Sequence, residues 1–370
     1  MNGIGRRYRL TLVGESHGEM VGVVVDGVPP GVPFSEADVQ PQLDRRRPGQ
    51  SLLTTQRAES DRVRIRSGVF EGRTTGAPVL MEVPNEDKRS QDYSNLYDTP
   101  RPGHSDYPAR VRFDGRNDPR GGGMFSGRLT ACWVMAGALA QKVLAAHGVE
   151  LAAHAVQVGH VATREALDVQ GIRRLVDATP VRCAVAAVAP QMVAEVEEAR
   201  KAGDSVGGVV ECVAEGLPAG LGDPLADSVE SLLAHALYAV PAVKGVEFGD
   251  GFGFAGRRGS EVIDAYDVED GRIVTRANHN GGVLGGITTG MPVRFRVAFK
   301  PTSSIPLNQR SVDLRTGEPS DLRVKGRHDP CIVPRAVPVV EGVAASVLLD
   351  LLLERLGSAG VAAPFRDGAR

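Results

Sequence analysis

The chain has 370 residues, of which 42% are hydrophobic and 24% charged, the proportions of an ordinary soluble globular protein. Its net charge of −2 at pH 7 offers no electrostatic argument for binding nucleic acid. The longest apolar stretches, such as VAASVLLDLLL, are shorter than a bilayer span, and the first ten residues, MNGIGRRYRL, lack the apolar core of a signal peptide.

Extended segments and two long helices are predicted in chain order. Runs of β-branched residues bounded by Gly and Pro predict strands at VGVVVDGVP, VRIRSGVF and VRFRVAF. Ser126 is a predicted N-cap for a helix over residues 127–147 that Gly148 ends, and a second helix stops at Gly357. Both helices are apolar nearly all round, so we expect them to be buried. Residues 149–202 carry two weaker helix patterns and a short apolar strand candidate, and we place them between the two halves described next.

Three pairs of segments recur in the same order, which indicates an internal duplication. They are GESHGEMVGVVVDGVPPG with GDSVGGVVECVAEGLPAG, GVFEGRTTGAPV with GVLGGITTGMPV, and GRNDP with GRHDP. The predicted fold class is therefore α+β, with two pseudo-symmetric halves of strands followed by a helix, at approximately 10–148 and 203–357. No low-complexity linker divides the chain, so residues 1–370 are predicted to form a single interlocked domain.

A run of three glycines, Gly121–Gly123, stands before the first predicted helix. Bare backbone N–H groups beside the positive end of a helix suit a phosphate or the edge of a flavin. The alternative is a glycine-rich turn that serves close packing only. The residues do not match a Walker loop, because no GxxxxGK[ST] follows.

The stretch DRRRPGQSLLTTQR crowds four arginines around a Pro-Gly turn: Arg45, Arg46, Arg47 and Arg57. Arginine forks bind phosphates and carboxylates bidentately, which makes these residues candidates for a substrate site. A solvated charge run is the alternative explanation.

Two histidines lie in Gly/Pro-containing loops rather than on an apolar helix or strand face. His17 follows Ser16 in GESHG, and His104 lies in RPGHSDY. Each is a candidate general acid, since an imidazole carries a proton near neutral pH, and a structural role is equally open. Asp329 in GRHDP is a candidate base, although the matching Asp118 of the other half indicates that part of this motif is structural.

No metal site is predicted. The remaining histidines lack ligand spacing such as HExxH, and the four cysteines lack CxxC spacing and are expected to be reduced, mostly buried thiols of a cytoplasmic protein. The inventory of an anion site, two loop histidines and a carboxylate fits chemistry on a phosphorylated, carboxylated small molecule. It does not identify the reaction.

The ordered motifs of this chain resemble those of the chorismate synthase family from about residue 10 to residue 345. They are GESHG, VDGVPPG, RRRPGQ, SGVFEGRTTGAP, QDYS, RPGHSDY, DPRGGG, GDSVGG, PAVKGVEFGDGF, GGITTGMP, KPTSSI and GRHDPC.

This resemblance implies a reaction and a fold. The implied enzyme is a lyase that converts 5-enolpyruvylshikimate 3-phosphate to chorismate and phosphate, the last common step of aromatic biosynthesis. The elimination is anti-1,4 and uses reduced FMN without net redox change. The implied fold is a β-α-β sandwich of two pseudo-symmetric halves, usually in a homotetramer.

The resemblance also implies roles for individual residues. His17 would protonate the departing phosphate, His104 would supply a proton to the reduced flavin, and Asp329 would help to pass on the ring proton. Ser16 and Ser126 would hold nearby hydrogen bonds, and the arginine cluster would bind the anionic groups of the substrate. The positions matching flavin contacts are Met124, Phe125, Ser126, Gly285, Lys300, Pro301, Thr302, Ser303, Ser304 and Arg327.

The chain departs from the common family pattern at three places. Met124 and Phe125 replace a cationic and a hydroxyl residue near the flavin, and Ile263 replaces an asparagine. Leu52 occupies a position associated with reducing-nucleotide (NADP) binding in some members, so we expect reduced FMN to come from an external reductant. Each lost polar contact is nominally worth about 1–3 kcal/mol if its partner stays buried, so weaker flavin affinity is the expected consequence.

Three rival functions stay open at this point. A catalytically silent paralogue would bind flavin or a phosphorylated metabolite as a sensor. A flavin oxidoreductase would consume NAD(P)H stoichiometrically. An RNA-binding protein is disfavoured by the acidic balance and the lack of an aromatic platform.

Overall fold

The computed structural model describes residues 2–49, 60–86, 96–324 and 329–365. Three residues singled out from the sequence, Leu52, Arg57 and Arg327, lie outside the described residues. Within them the chain forms an α+β fold, which confirms the predicted class.

The helices and strands follow one another along the chain with these bounds. The helices are α1 Glu36–Arg46, α2 Asp106–Arg112, α3 Thr130–Ala145, α4 Val169–Leu175, α5 Ala189–Ala202, α6 Val229–Tyr238 and α7 Val333–Val361. The strands are β1 Gly3–Ile4, β2 Arg9–Gly14, β3 Met20–Asp26, β4 Arg64–Ile65, β5 Val69–Phe70, β6 Arg73–Thr74, β7 Val79–Pro84, β8 Glu150–Val158, β9 Val161–Ala162, β10 Gly208–Glu215, β11 Val243–Phe248, β12 Tyr266–Glu269, β13 Arg272–Thr275, β14 Val283–Leu284, β15 Ile287–Thr288, β16 Val293–Phe299, β17 Asn308–Val312 and β18 Pro319–Arg323.

Two five-stranded antiparallel sheets enclose a layer of helices. The first sheet has the order β1-β2-β3-β7-β4, and the second has the order β11-β16-β10-β8-β9. Helix α3 packs against β3 and β7, α7 packs against β8 and β10, and the two helices pack against each other. The register pairs Val23 with Met81 in the first sheet and Cys212 with Phe295 in the second, and all four side chains are fully buried.

The two central helices approach most closely where each carries a glycine. A Cβ atom added to Gly137 would lie 2.8 Å from the carbonyl oxygen of Gly342, and one added to Gly342 would lie 2.5 Å from the carbonyl oxygen of Trp133. Only residues without a side chain permit this backbone contact. Because α3 packs on the first sheet and α7 on the second, this close crossing sets the distance between the two halves of the helix layer.

Helix α7 is longer than the sequence analysis allowed. By length and composition, the stretch Val333–Gly357 is long and apolar enough to cross a membrane, whereas we expected every apolar stretch to be too short. It is the one such helix in the described part of the chain, and all of its most apolar window is buried inside the fold. This burial is typical of the core helix of a globular protein.

Most predicted elements exist close to their expected positions. Strands β3 and β16 and the two buried helices confirm the predictions, with Gly357 breaking the helical backbone at φ +68°. Residues 149–202 contain the helices α4 and α5 and the strand β8, in line with the two helix patterns and the strand candidate, and β8 pairs with β10 and so belongs to the second sheet. The boundaries of the duplicated halves stay a prediction.

Candidate functional site

A cavity of about 660 Å³ opens where loops from both sheets meet the helix layer. Its wall is formed by the end of α1, the loops before α2 and α3, the end of α6, the residues after β16 and the start of α7. Six of its lining side chains are cationic: Arg46, Arg101, Arg128, Lys244, Lys300 and Arg335. Asp329 is the one carboxylate among the lining residues that the structure describes. This wall suits a small ligand with several negative charges.

The triple glycine lies against the two loop histidines. All three glycines have positive φ angles, 60°, 84° and 53°. A Cβ atom at Gly121 would lie 2.5 Å from Nε2 of His17, and one at Gly122 would lie 3.3 Å from Cε1 of His104. Neighbouring residues of one loop therefore contact both imidazoles, and the missing side chains leave room for the rings.

The glycine run stands before a helical segment, as expected, but the α-helix itself starts three residues later than the predicted residue 127. Helix α3 begins at Thr130, after a short 3₁₀ turn over Gly127–Leu129. Ser126 caps this turn by accepting a hydrogen bond from the amide N of Arg128 at 3.2 Å, so it is the predicted cap but of a shorter element. The three left-handed glycines cannot continue into helical backbone, which explains the separation.

His104 is held by a carboxylate that the sequence analysis did not single out. Nδ1 of His104 lies 2.6 Å from Oδ1 of Asp106, the first residue of α2. Arg101 donates to both oxygens of this carboxylate, from Nε at 2.7 Å and from Nη2 at 2.8 Å, and its Nη1 donates to Ser304 Oγ at 2.9 Å. Burial alone would raise the pKa of Asp106, but the hydrogen bonds from Arg101 and His104 hold that pKa well below its usual range.

His17 is nearly buried and is absent from the cavity lining, whereas its neighbour Ser16 lines the cavity. The loop that carries both is fixed by the side chain of Asn85, which donates to the carbonyl oxygens of Glu15 at 2.9 Å and Gly18 at 3.1 Å. The imidazole of His17 contacts the cavity wall at Gly121. The two predicted acids thus occupy unequal positions, with His104 in the cavity wall and His17 one residue layer behind it.

Asp329 lines the same cavity and pairs with Arg335 near the start of α7. Nε of Arg335 donates to the carbonyl oxygen of Arg46 at 3.1 Å, which ties this pair to the end of α1. The structure therefore brings His104, Ser16 and Asp329 to one cavity, as their predicted roles require.

Of the predicted arginine cluster, Arg46 alone lines the cavity among the described members. It is 2% exposed and donates to Asp61 Oδ2 at 2.9 Å, and Asp61 also pairs with Arg128. Burial opposes ionisation of Asp61, but the charges of these two arginines lower its pKa.

Arg45 and Arg47 do not line this cavity, so their role in binding substrate stays a prediction that the cavity does not support. Arg45 pairs with Glu341 and with Asp177, and Arg47 is about half exposed beside Asp44. Arg45 and Arg46 are successive helical residues whose side chains point about 100° apart, and Arg47 follows the end of α1 with a ψ of 155°, so the three side chains diverge.

The predicted flavin positions fall into two groups. Met124, Phe125, Ser126 and the whole stretch Lys300–Ser304 line the cavity. Gly285 does not: with the buried Gly286 it forms the turn between β14 and β15, where positive φ angles of 59° and 88° require glycine. Ile263 is 62% exposed and also lies outside the cavity.

Several residues in or beside the cavity were missed from the sequence. Arg101 and Asp106 flank His104 within RPGHSDY, so their proximity to the histidine was a usable signal. No local sequence signal pointed to Arg128, Lys244 or Arg335, because only the assembled fold brings these separate segments together. No group of three or more His, Cys, Asp or Glu side chains among the described residues is arranged to hold a metal ion.

Part of the cavity lining is an apolar wall. It consists of Val240, Pro241, Val243, Phe299, Ile332, Ala336 and Val339. A cavity that combines apolar, charged and hydroxyl groups suits a flat aromatic ring that carries a phosphate. Fold and cavity together define an α+β protein whose cavity, with its cationic and titratable side chains, suits small, multiply anionic ligands.

Comparison with known proteins gives the particular family. The family model described as chorismate synthase matches residues 8–353. The chain is 50% identical over 368 residues to a chorismate synthase of Methanocella arvoryzae, covering 100% of this chain and 97% of the relative. It is 51% identical over 353 residues to one of Aeropyrum pernix, covering 95% of this chain and 93% of the relative. A crystal structure described as chorismate synthase superposes with a TM-score of 0.77 at 28% identity, covering 98% of this chain and 97% of the other. The chain belongs to the chorismate synthase family, and the resemblance drawn from its motifs is confirmed.

Proposed function

We propose that this protein is a lyase that converts 5-enolpyruvylshikimate 3-phosphate to chorismate and phosphate, a step of aromatic amino-acid biosynthesis. In this elimination the C–O bond to phosphate and one ring C–H bond break, a ring double bond forms, and no net electrons are exchanged. The observation that carries the proposal is the cavity itself, which combines six cationic side chains with His104, Ser16 and Asp329.

Charge supports this substrate class. The substrate carries a phosphate and two carboxylates, and among the described residues the six cations lie near three carboxylates, those of Asp61, Asp106 and Asp329. The cavity therefore retains an excess of positive charge for the ligand. Placed where the leaving phosphate gains charge, such groups stabilise the transition state more than the ground state.

The proposed roles of the chain's own residues follow from their positions. His17 supplies the proton to the departing phosphate through the hydroxyl of Ser16, which lines the cavity and lies, like Nε2 of His17, against Gly121. His104 holds an exchangeable proton at the cavity wall, Asp329 passes on the ring proton, and Ser126 contributes a hydroxyl. Arg46, with Arg128 beside it, binds an anionic group of the substrate.

We propose reduced FMN as the cofactor. Residues Lys300–Ser304 offer an ammonium group and three hydroxyl groups for a phosphate, while the apolar wall and Phe125 suit the ring system. When bound, reduced FMN supplies electron density to the breaking C–O bond and recovers it, so the reaction ends without net oxidation. By the family resemblance, an apolar Leu52 favours an external source of reduced flavin over built-in NADPH use.

We also propose a cytoplasmic homotetramer. Exposed apolar side chains support association with further copies; they include Phe252, Ile263, Tyr266, Val268 and Ile273. The buried thiols of all four cysteines are consistent with a reducing compartment.

Anaerobic incubation with chemically reduced FMN and 5-enolpyruvylshikimate 3-phosphate tests the proposal through the absorbance of chorismate. We expect turnover with reduced FMN, none with oxidised FMN, and no stoichiometric NAD(P)H consumption. His104→Ala, His17→Ala and Asp329→Ala should each lose at least about 100-fold in kcat, the scale of acid–base contributions. His160→Ala is the control, because this exposed histidine lies at the turn after β8. Binding of FMN and substrate without turnover would refute the lyase and favour a silent paralogue.

A further inference from the structure

The contact between His104 and Asp106 determines where the imidazole carries its proton. Nδ1 of His104 and Oδ1 of Asp106 are 2.6 Å apart. At this distance a lone pair on nitrogen would face a negatively charged oxygen unless a proton lay between them. Because Asp106 is ionised, with its pKa held well below the usual range, the proton belongs on Nδ1.

Arg101 fixes the orientation of the Asp106 carboxylate. Its backbone N donates to Asp106 Oδ2 at 3.0 Å, in addition to the bonds from Nε and Nη2. The carboxylate oxygens are thus oriented by three donors besides His104. Arg101 is held in turn by Ser304, so the carboxylate is anchored to both neighbouring loops.

We propose that Asp106 is a positioning residue that fixes His104 as the Nδ1–H tautomer and thereby presents Nε2 as the atom that exchanges protons. Nε2 is the ring nitrogen on the side of Gly122, where an added Cβ would lie 3.5 Å away. Carboxylates that bind one imidazole nitrogen set the tautomer and ring orientation in the same way elsewhere. This inference rests on the proposed function for its kinetic consequence but not for its structural one.

A different arrangement would make Asp106 a partner of Arg101 alone. Nη2 of Arg101 is 3.1 Å from Nδ1 of His104, so it would donate to Nδ1 if that nitrogen carried no proton. The two arrangements predict opposite tautomers of His104, which makes them separable by experiment.

Histidine labelled with ¹⁵N in the full-length protein gives a direct test. Two-bond ¹H–¹⁵N correlations report which ring nitrogen is protonated, and the His104 signals are those absent from His104→Gln. We expect the wild type to carry the proton on Nδ1 and Asp106→Asn to lose that preference. Wild-type protein with the proton on Nε2 would overturn the inference, whether or not the protein forms chorismate.

Kinetics provide the second readout. Asp106→Asn should lower kcat by about 10- to 100-fold, the range for residues that orient a functional histidine, with a smaller change in KM. Asp106→Glu should recover part of kcat. The matched control is Asp98→Asn, since Asp98 also pairs with arginines, Arg110 and Arg315, but does not contact His104. A loss confined to KM, with the Nδ1–H tautomer intact, would show that Asp106 serves Arg101 only and would refute the inference.

Discussion

Replacing Gly121 by alanine tests whether the bare backbone exists to accommodate His17. The new Cβ would lie 2.5 Å from Nε2 of His17 and 2.8 Å from Oγ of Ser16. Ordinary contact begins near 3.4 Å, so the imidazole must move by about 1 Å. Both neighbours are side chains, and the fold can therefore survive while the geometry of the site changes.

The expected magnitude has two separable parts. Alanine at a φ of +60° costs about 1–2 kcal/mol of stability through backbone strain. A displacement of about 1 Å at a reacting group costs on the order of 100-fold in rate. That factor corresponds to about 2.7 kcal/mol of transition-state stabilisation.

Gly115→Ala separates these two parts. Gly115 has a φ of +68° but nothing within 4 Å of an added Cβ, so it carries the same backbone cost without the clash. We expect both variants to lose similar stability in urea, while only Gly121→Ala loses about 100-fold in kcat under anaerobic assay. Equal activity of the two variants would refute the assignment of Gly121 as the space that His17 requires.

Three further predictions concern stability and reactivity. The pKa of Asp61 is lowered in the folded state, so its contribution to stability is present at neutral pH and is lost as pH falls through and below about 4. Asp61→Asn should lower the free energy of unfolding by about 3–5 kcal/mol at pH 7 and should flatten this acid dependence. Unfolding is followed by the fluorescence of the buried Trp133. Alanine normally stabilises a helix by roughly 1 kcal/mol relative to glycine. Gly342→Ala should nevertheless destabilise the protein, because the new Cβ would lie 2.5 Å from the backbone oxygen of Trp133. A higher melting temperature would contradict the close crossing of α3 and α7. Burial raises the pKa of Cys132 to about 12, so a thiol reagent at pH 8 should modify it only at the rate of unfolding.

The fold was largely predictable because its strongest elements carry strong local signals. The β-branched run of β16 alternates buried and half-buried residues, and α7 is apolar all round, which leaves few alternative placements. The sheet position of β8 was not predicted, because a strand buried on most of its length lacks the alternation that shows which face of a sheet it covers.

The site was predictable only where local sequence restricts a side chain's surroundings. His104 was recognised from its Gly- and Pro-containing loop, and it does line the cavity. The three consecutive arginines carried no such information, since the helix directs Arg45 and Arg46 to different sides and Arg47 lies beyond the end of α1. Arg335 lies on α7, nearly three hundred positions from Arg46, and only the packing of α1 against α7 brings it to the cavity.

The loop that carries His104 is held by contacts with distant parts of the chain, so its free energy of local opening can differ from that of global unfolding. The loop is held by Arg101 Nη1 donating to Ser304 Oγ at 2.9 Å, by Lys300 Nζ donating to the carbonyl oxygen of Gly103, and by Ser311 Oγ donating to that of Pro100 at 2.5 Å. These few polar contacts bury little apolar surface compared with the crossing of α3 and α7. Local opening of the loop should therefore cost less free energy than global unfolding. Activity in urea should consequently fall before the fluorescence of the core tryptophan changes, and coincident transitions would mean that the loop unfolds only with the core.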